Sequence, residues 1–193
     1  MKIAIIDYCA GNIKSVQFAL ERLGYEGICT NNANEIRDAD KVIFPGVGEA
    51  SNAMNALETS GLNELIPTLK QPVLGICLGM QLMCKSSEEN DTNCLNIFPM
   101  KVQKFKHDLK IPHMGWNQIE NFKSPIFDQI SAKSYVYFVH SYYVPISEFT
   151  TSTVNYGLEY SVTIQKDNFY GCQFHPEKSS DVGMQILKNF LKI

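Results

Sequence analysis

The chain has 193 residues, 45% of them hydrophobic and 19% charged, enough apolar material for a sizeable core in a single domain spanning 1–193. A net charge of −3 leaves no footprint for nucleic acid, and the lysines between 101 and 110 read as a solvated edge. The opening MKIAIIDY meets an acidic residue too early for a secretory segment, and no apolar run reaches membrane-spanning length, so a cytoplasmic location is the default.

In chain order, KIAIID (2–7) is a β-rich run that ends in the turn-like YCAGN. IKSVQFALERLGY follows with apolar residues at helical spacing and Gly24 as its stop. EGICT and DKVIFPGVG read as the next two strands, the latter broken by Pro45, Gly46 and Gly48. Residues 49–70 are helical in pattern, interrupted near Ser60 and Gly61. QPVLGIC is a fourth strand, apolar without alternation and so buried on both faces. Strands alternating with helices imply a parallel sheet in this half.

The second half changes character. NIFPMKVQKF, YVYFVHSYYVP, TSTVNYG and YSVTIQKDNFYGCQF are closely spaced β segments with turns such as Lys166-Asp167-Asn168. SSDVGMQILKNFLKI closes as an amphipathic helix, with Ser179 or Ser180 as N-cap. The expected fold is α/β: an open, mostly parallel central sheet flanked by helices, with additional antiparallel strands in the C-terminal half.

Six cysteines (Cys9, Cys29, Cys77, Cys84, Cys94, Cys172) lie scattered with no C-x-x-C pair, which argues for free thiols. Cys77 stands apart. Gly75-Ile76-Cys77-Leu78-Gly79 joins a strand to a helix in the pattern of a nucleophile elbow with sulfur in place of oxygen. The glycines let two backbones approach closely, and a helix N-terminus favours thiolate and can hold an oxyanion. A buried cysteine at an ordinary strand–helix turn fits the pentapeptide equally well.

Paired with that cysteine, His175-Pro176-Glu177 offers a base and an orienter; by itself it fits a structural histidine at a strand end with a solvated glutamate. Pro176 biases His175 toward extended backbone, where residues two apart share a side, so Glu177 can support the imidazole. Four histidines without H-x-x-x-H spacing or a carboxylate cluster give no reason to expect a metal. The glycines of FPGVG (44–48) allow backbone N–H groups to turn toward a neighbouring site, and the amides of Val47 and Leu78 are the expected oxyanion donors. A plain glycine turn is the other reading of that loop.

Together, DYCAGNIKSV, PGVGEA, GICLGMQLMCKSSEE, IPHMGWN, YFVHSYY and FHPEKSS resemble class I glutamine amidotransferases, in particular the branch that serves imidazole glycerol phosphate synthase. These stretches run from residue 7 to 180. The resemblance implies hydrolysis of glutamine to glutamate and ammonia, with Cys77 as nucleophile, His175 as proton shuttle and Glu177 as its orienter. It implies substrate contacts from Gly46, Gln81, Glu89, Ser141 and Tyr142, no cofactor, and transfer of ammonia to a separate (β/α)₈ cyclase subunit in a heterodimer. Asn12, Trp116 and Lys178 match positions that face that partner. Cys9 stands where the family commonly has glycine. Three rivals stand beside it: a paralogous glutaminase supplying another acceptor, such as acetamidino-sugar synthesis; a cysteine peptidase-like thiol hydrolase; and a non-catalytic binding protein that keeps the fold, which the intact Cys77, His175 and Glu177 set disfavours.

Overall fold

The computed structural model describes residues 1–8 and 11–193. Cys9 therefore lies outside the described residues. The first half is a run of strand–helix units: β1 (Ile3–Ile6), α1 (Ile13–Arg22), β2 (Gly27–Thr30), α2 (Ala33–Arg37) and β3 (Lys41–Phe44). Next come α3 (Ala50–Ser60), α4 (Leu62–Leu65), β4 (Val73–Ile76) and α5 (Leu78–Leu82). The break expected near residue 60 falls at Gly61, which adopts φ 70 between α3 and α4.

β5 (Cys84–Ser87), β6 (Thr92–Asn93), β7 (Phe98–Lys104), β8 (His113–Gln118), β9 (Tyr135–His140) and β10 (Tyr142–Tyr143) follow. β11 (Thr150–Asn155), β12 (Glu159–Lys166), β13 (Phe169–Cys172) and α6 (Ser180–Lys192) complete the chain. Among the described residues a seven-stranded sheet has the order β11-β12-β13-β4-β3-β1-β2. From β13 to β2 all neighbours are parallel, and β11 and β12 extend that edge antiparallel. The mixed sheet matches the fold read from sequence. A four-stranded sheet β10-β7-β5-β6 and the two-stranded ribbon β8-β9 lie beside it.

Alternation along the parallel strands divides the core between the sheet's two faces. Ile3, Ile5, Ile43, Leu74 and Ile76 pack with Val16 and Leu20 of α1 and with Ile186, Leu187 and Phe190 of α6. Ala4, Ile6, Val42, Phe44 and Val73 pack with Met54 and Leu57 of α3 and Met80 of α5. Each fully buried Ile, Leu, Val or Phe contributes roughly 1.5–3 kcal/mol relative to an exposed one, which is why apolar runs rather than alternating ones make these strands. Among the described residues no helix is long and apolar enough to cross a membrane.

Ser179 precedes α6 as expected, but its hydroxyl does not cap the helix. It donates to the His175 carbonyl at 2.7 Å and accepts from the Tyr137 amide at 2.9 Å. The hydroxyl thus ties β9 to the segment carrying His175.

Candidate active site

The cysteine between β4 and α5 is held in a conformation that side chains resist. Cys77 has φ 53 and ψ −108, outside the common regions, at a cost on the order of 1–3 kcal/mol. Its amide donates to the Cys172 carbonyl of β13 at 2.8 Å, and its carbonyl accepts from the Gln81 amide at 3.2 Å. The flanking glycines have a steric cause. A Cβ on Gly79 would stand 1.9 Å from the Phe44 carbonyl oxygen of β3, and one on Gly75 2.8 Å from the Met80 nitrogen. Sheet and helix meet too closely for any side chain there. Cys77 lines a cavity of about 420 Å³.

His175 and Glu177 reach this site from the segment after β13. His175 Nδ1 donates to Glu177 Oε1 at 2.8 Å, both side chains being fully buried. A carboxylate only accepts, so Nδ1 carries a proton, and Nε2 is the nitrogen that gains or gives up the second one. Nε2 is buried without a hydrogen-bond partner. His175 has the expected extended backbone, φ −98 and ψ 97, but Pro176–Lys178 turns into a 3₁₀ helix. The curl, rather than a continued strand, brings Glu177 under the ring. Burial works against the imidazolium, but the neighbouring Cys77 and the hydrogen-bonded Glu177 favour the charged ring, outweigh it and raise the His175 pKa to about 10.

Asn12 was expected at a partner surface. It is instead buried at 5% exposure just before α1, and its Nδ2 donates to Glu177 Oε1 at 3.1 Å. The side chain points inward because Glu177 is the acceptor within reach.

The Pro45–Gly48 loop passes over the elbow. Tyr8 Oη donates to the Pro45 carbonyl at 2.7 Å, and the Leu78 amide donates to the Gly46 carbonyl at 3.3 Å. The Leu78 amide, one of the two expected oxyanion donors, is thus engaged by the loop itself. Val47 lines the cavity and is 37% exposed.

Gln81, Glu89, Ser141 and Tyr142 all line the same cavity, as does His140, which the sequence did not single out. Gln81 Nε2 donates to the Tyr142 carbonyl at 2.9 Å and to Gln173 Oε1 at 2.8 Å. Glu89 Oε2 accepts from the Ala50 amide at 2.7 Å, so one carboxylate oxygen caps α3. Partial burial, opposed by that amide bond and aided by Glu49, raises its pKa. Gly46 packs against Gly79 and Tyr8, where an added Cβ would come within 2.7 Å of the Gly79 nitrogen.

Comparison with known proteins gives this geometry a family. The family model described as glutamine amidotransferase class-I matches residues 4–193. The chain belongs to the class I glutamine amidotransferases. Among relatives of this amidotransferase, the imidazole glycerol phosphate synthase subunit HisH of Bacteroides fragilis is 54% identical, with all of both chains covered. The subunit of the same name from Bacteroides thetaiotaomicron is 53% identical, again over all of both chains. The solved structure of a putative GMP synthase subunit from Thermoplasma acidophilum superposes with a TM-score of 0.78 at 20% identity, covering 100% of this chain and 92% of that one. At that identity the likeness speaks for the fold.

On the amidotransferase, Trp116 is 52% exposed on β8, which rules out a core position. Met114 and Tyr135 on the same ribbon are 59% and 55% exposed. Lys178 is exposed on the turn that follows His175. His140 is the main residue that sequence reasoning missed. Its Nδ1 donates to the Tyr142 carbonyl at 2.7 Å, and its Nε2 meets Tyr160 Oη at 3.0 Å, while His113 Nδ1 meets the same hydroxyl at 2.9 Å. The carbonyl assigns the Nδ1 proton, so Nε2 accepts from Tyr160, whose oxygen in turn accepts from His113. Burial lowers the His140 pKa to about 3 and that of His113 to about 4, keeping both rings neutral.

Proposed function

We propose that this chain is the glutaminase of an imidazole glycerol phosphate synthase, acting as one domain over residues 1–193 in the cytoplasm. The observation that carries the reading is the strained Cys77 elbow beside a buried His175–Glu177 pair in a cavity lined by Gln81 and Glu89. Full-length identity to subunits of that synthase supports the choice among amidotransferases.

Glutamine enters with its side-chain amide toward Cys77, and Gln81, Glu89, Gly46, Ser141 and Tyr142 hold its other end. The thiolate adds to the amide carbon. The resulting tetrahedral intermediate expels ammonia as the imidazolium of His175 gives up its proton, leaving a γ-glutamyl thioester. His175, neutral again, takes a proton from water, which attacks the thioester and releases glutamate and free Cys77. Glu177 holds the ring in the tautomer both steps require, and Asn12 holds Glu177.

The oxyanion of the intermediate needs the Leu78 amide, now bonded to the Gly46 carbonyl, and the amide of Val47. Rotation of the Gly46–Val47 peptide would withdraw that carbonyl and present the Val47 N–H in its place. We assign this rotation to engagement of the partner, so the isolated chain is a poor glutaminase. The partner is a (β/α)₈ cyclase that takes up the ammonia. The apolar face of Met114, Trp116 and Tyr135, with Lys178 beside it, is a fitting dock.

The test is reconstitution with the candidate cyclase. Cys77→Ala should lose glutamine-dependent synthesis and keep ammonia-dependent synthesis. Glutamine turnover by that variant would remove Cys77 from the mechanism. Failure of the wild-type pair to use glutamine, with retention of ammonia-dependent synthesis by the cyclase, would remove the assigned acceptor.

A further inference from the structure

Gln173 is fully buried after β13, two residues before His175, and the hydrolytic steps give it no task. Its amide lies between the nucleophile and Gln81. Nε2 is 3.6 Å from Cys77 Sγ, and Oε1 is 2.8 Å from Gln81 Nε2.

Which end of each amide faces which neighbour follows from one fixed atom. The Tyr142 carbonyl can only accept, so the end of Gln81 that lies 2.9 Å from it is the NH₂. That NH₂ also faces Gln173, which must therefore answer with its carbonyl oxygen. The NH₂ of Gln173 is what remains, and it points at the sulfur. Turning either amide over would set oxygen against oxygen or donor against donor. His140 Nδ1 donates to the same Tyr142 carbonyl at 2.7 Å and steadies the origin of the chain.

We propose that Gln173 is a catalytic residue: its side-chain N–H donates to the Cys77 sulfur, favours the thiolate and fixes where it stands, while Gln81 fixes the direction of that donor. The inference rests on the glutaminase reading for its purpose, though not for its geometry. In the thiol form, Cys77 has the Val139 carbonyl as a weak acceptor 3.9 Å away. Once the proton passes to His175 Nε2, that carbonyl repels the sulfur and the Gln173 N–H remains as a donor to it.

The other groups facing the sulfur cannot substitute. His175, with Glu177 behind it, supplies the positive charge from the 3₁₀ turn. Cys172 at the end of β13, Tyr8 after β1 and Tyr160 on β12 are ionisable acids that stay protonated beside it. His140 is held neutral, and Glu89 lies across the cavity. Gln173 is a neutral donor whose effect does not titrate.

The test is the pH dependence of Cys77 alkylation by iodoacetamide in the full chain, read by mass on the Cys77 peptide so that exposed Cys29 does not interfere. Gln173→Met keeps length without the donor, and Gln173→Glu replaces the donor with a carboxylate. The alkylation midpoint should rise by about one unit in Gln173→Met, a tenfold loss of thiolate at fixed pH below the midpoint, and further in Gln173→Glu. Gln81→Met, which leaves Gln173 in place but undirected, should fall between wild type and Gln173→Met. In the reconstituted complex, Gln173→Met should lose about tenfold in kcat for glutamine with KM changed less than threefold.

A midpoint within about 0.3 unit of wild type in folded Gln173→Met and Gln173→Glu overturns the proposal. So does a lowered unfolding temperature with no change in midpoint. If neither Gln173 variant folds, an unmoved midpoint in Gln81→Met overturns it equally. The alkylation arm involves no glutamine, so its outcome is separate from that of the Cys77→Ala test.

Discussion

Gly79→Ala is the smallest change that should dismantle the site. The new Cβ would lie 1.9 Å from the Phe44 carbonyl oxygen and 2.9 Å from the Phe44 carbonyl carbon. Both are backbone atoms of β3, so no rotamer change relieves the clash. An ordinary Cβ–oxygen contact needs about 3.3 Å, so α5 must withdraw from β3 by roughly 1.4 Å. Overpacking of this kind costs about 1–3 kcal/mol, or roughly 2–12 °C in Tm for a chain of this size. The Leu78 amide and Cys77 travel with α5, and a displacement near 1 Å at the reacting atoms costs about 10²-fold in rate. The assays are thermal unfolding of the isolated chain and glutamine turnover with its partner, with ammonia-dependent synthesis as the control for complex formation. Turnover within threefold of wild type, at an unchanged Tm, would refute the argument that these backbones meet too closely for a side chain.

Asn12→Ala should lower glutamine turnover about tenfold, mainly in kcat, because the bond it removes goes to the carboxylate that orients His175; equal turnover would show that Glu177 needs no support. Tyr160→Phe deletes the hydroxyl that serves both His113 and His140, so Tm should fall by about 2–10 °C, read by calorimetry. Acidification from pH 7 to pH 5 should destabilise the wild type by way of these two rings. Their folded pKa values, about 4 and about 3, lie below the unfolded value, so across this window the unfolded chain binds protons that the folded one does not. Each ring accounts for about 2 kcal/mol between pH 6.5 and pH 5. In His140→Gln the acid-induced loss measured by urea titration should shrink by about that amount, and an undiminished loss would place the proton uptake elsewhere. His175 has the opposite sign: raised to about 10, it stabilises most below pH 6.5 and loses that contribution as pH climbs toward 10.

The legible parts of the fold were those whose physics is local. Ile3–Ile6, Lys41–Phe44 and Val73–Ile76 read as strands because both of their faces are buried, and Gly24 and Gly61 stop helices with φ 82 and 70. α2 went unread because it has five residues, fastened by Asn32 Oδ1 to the amides of Asn34 and Glu35. β5 is a polar four-residue strand, and β8 turns Met114 and Trp116 outward while burying His113, which inverts the usual alternation. In the site, Cys77, His175 and Glu177 stood out because each sits beside glycine or proline at short range. The contacts from Asn12 to Glu177 and from Gln173 to Cys77 join positions 165 and 96 residues apart, and no local pattern records them. The sequence placed Glu177 beside His175 for the wrong backbone reason, since two residues apart also meet across a 3₁₀ turn.

The position of β13 in the sheet has a bearing on how the protein comes into being. It is the last strand in sequence, yet it sits between β12 and β4, and it leads directly to His175. During synthesis, β4 with its nucleophile emerges roughly a hundred residues before the base, and until then one flank of β4 has no neighbour. A nascent chain therefore carries a cysteine without a proton acceptor and cannot squander glutamine. The same order makes a ribosome stall or a nonsense codon before residue 169 doubly harmful, because the released fragment lacks catalysis and also presents a bare apolar strand to other chains.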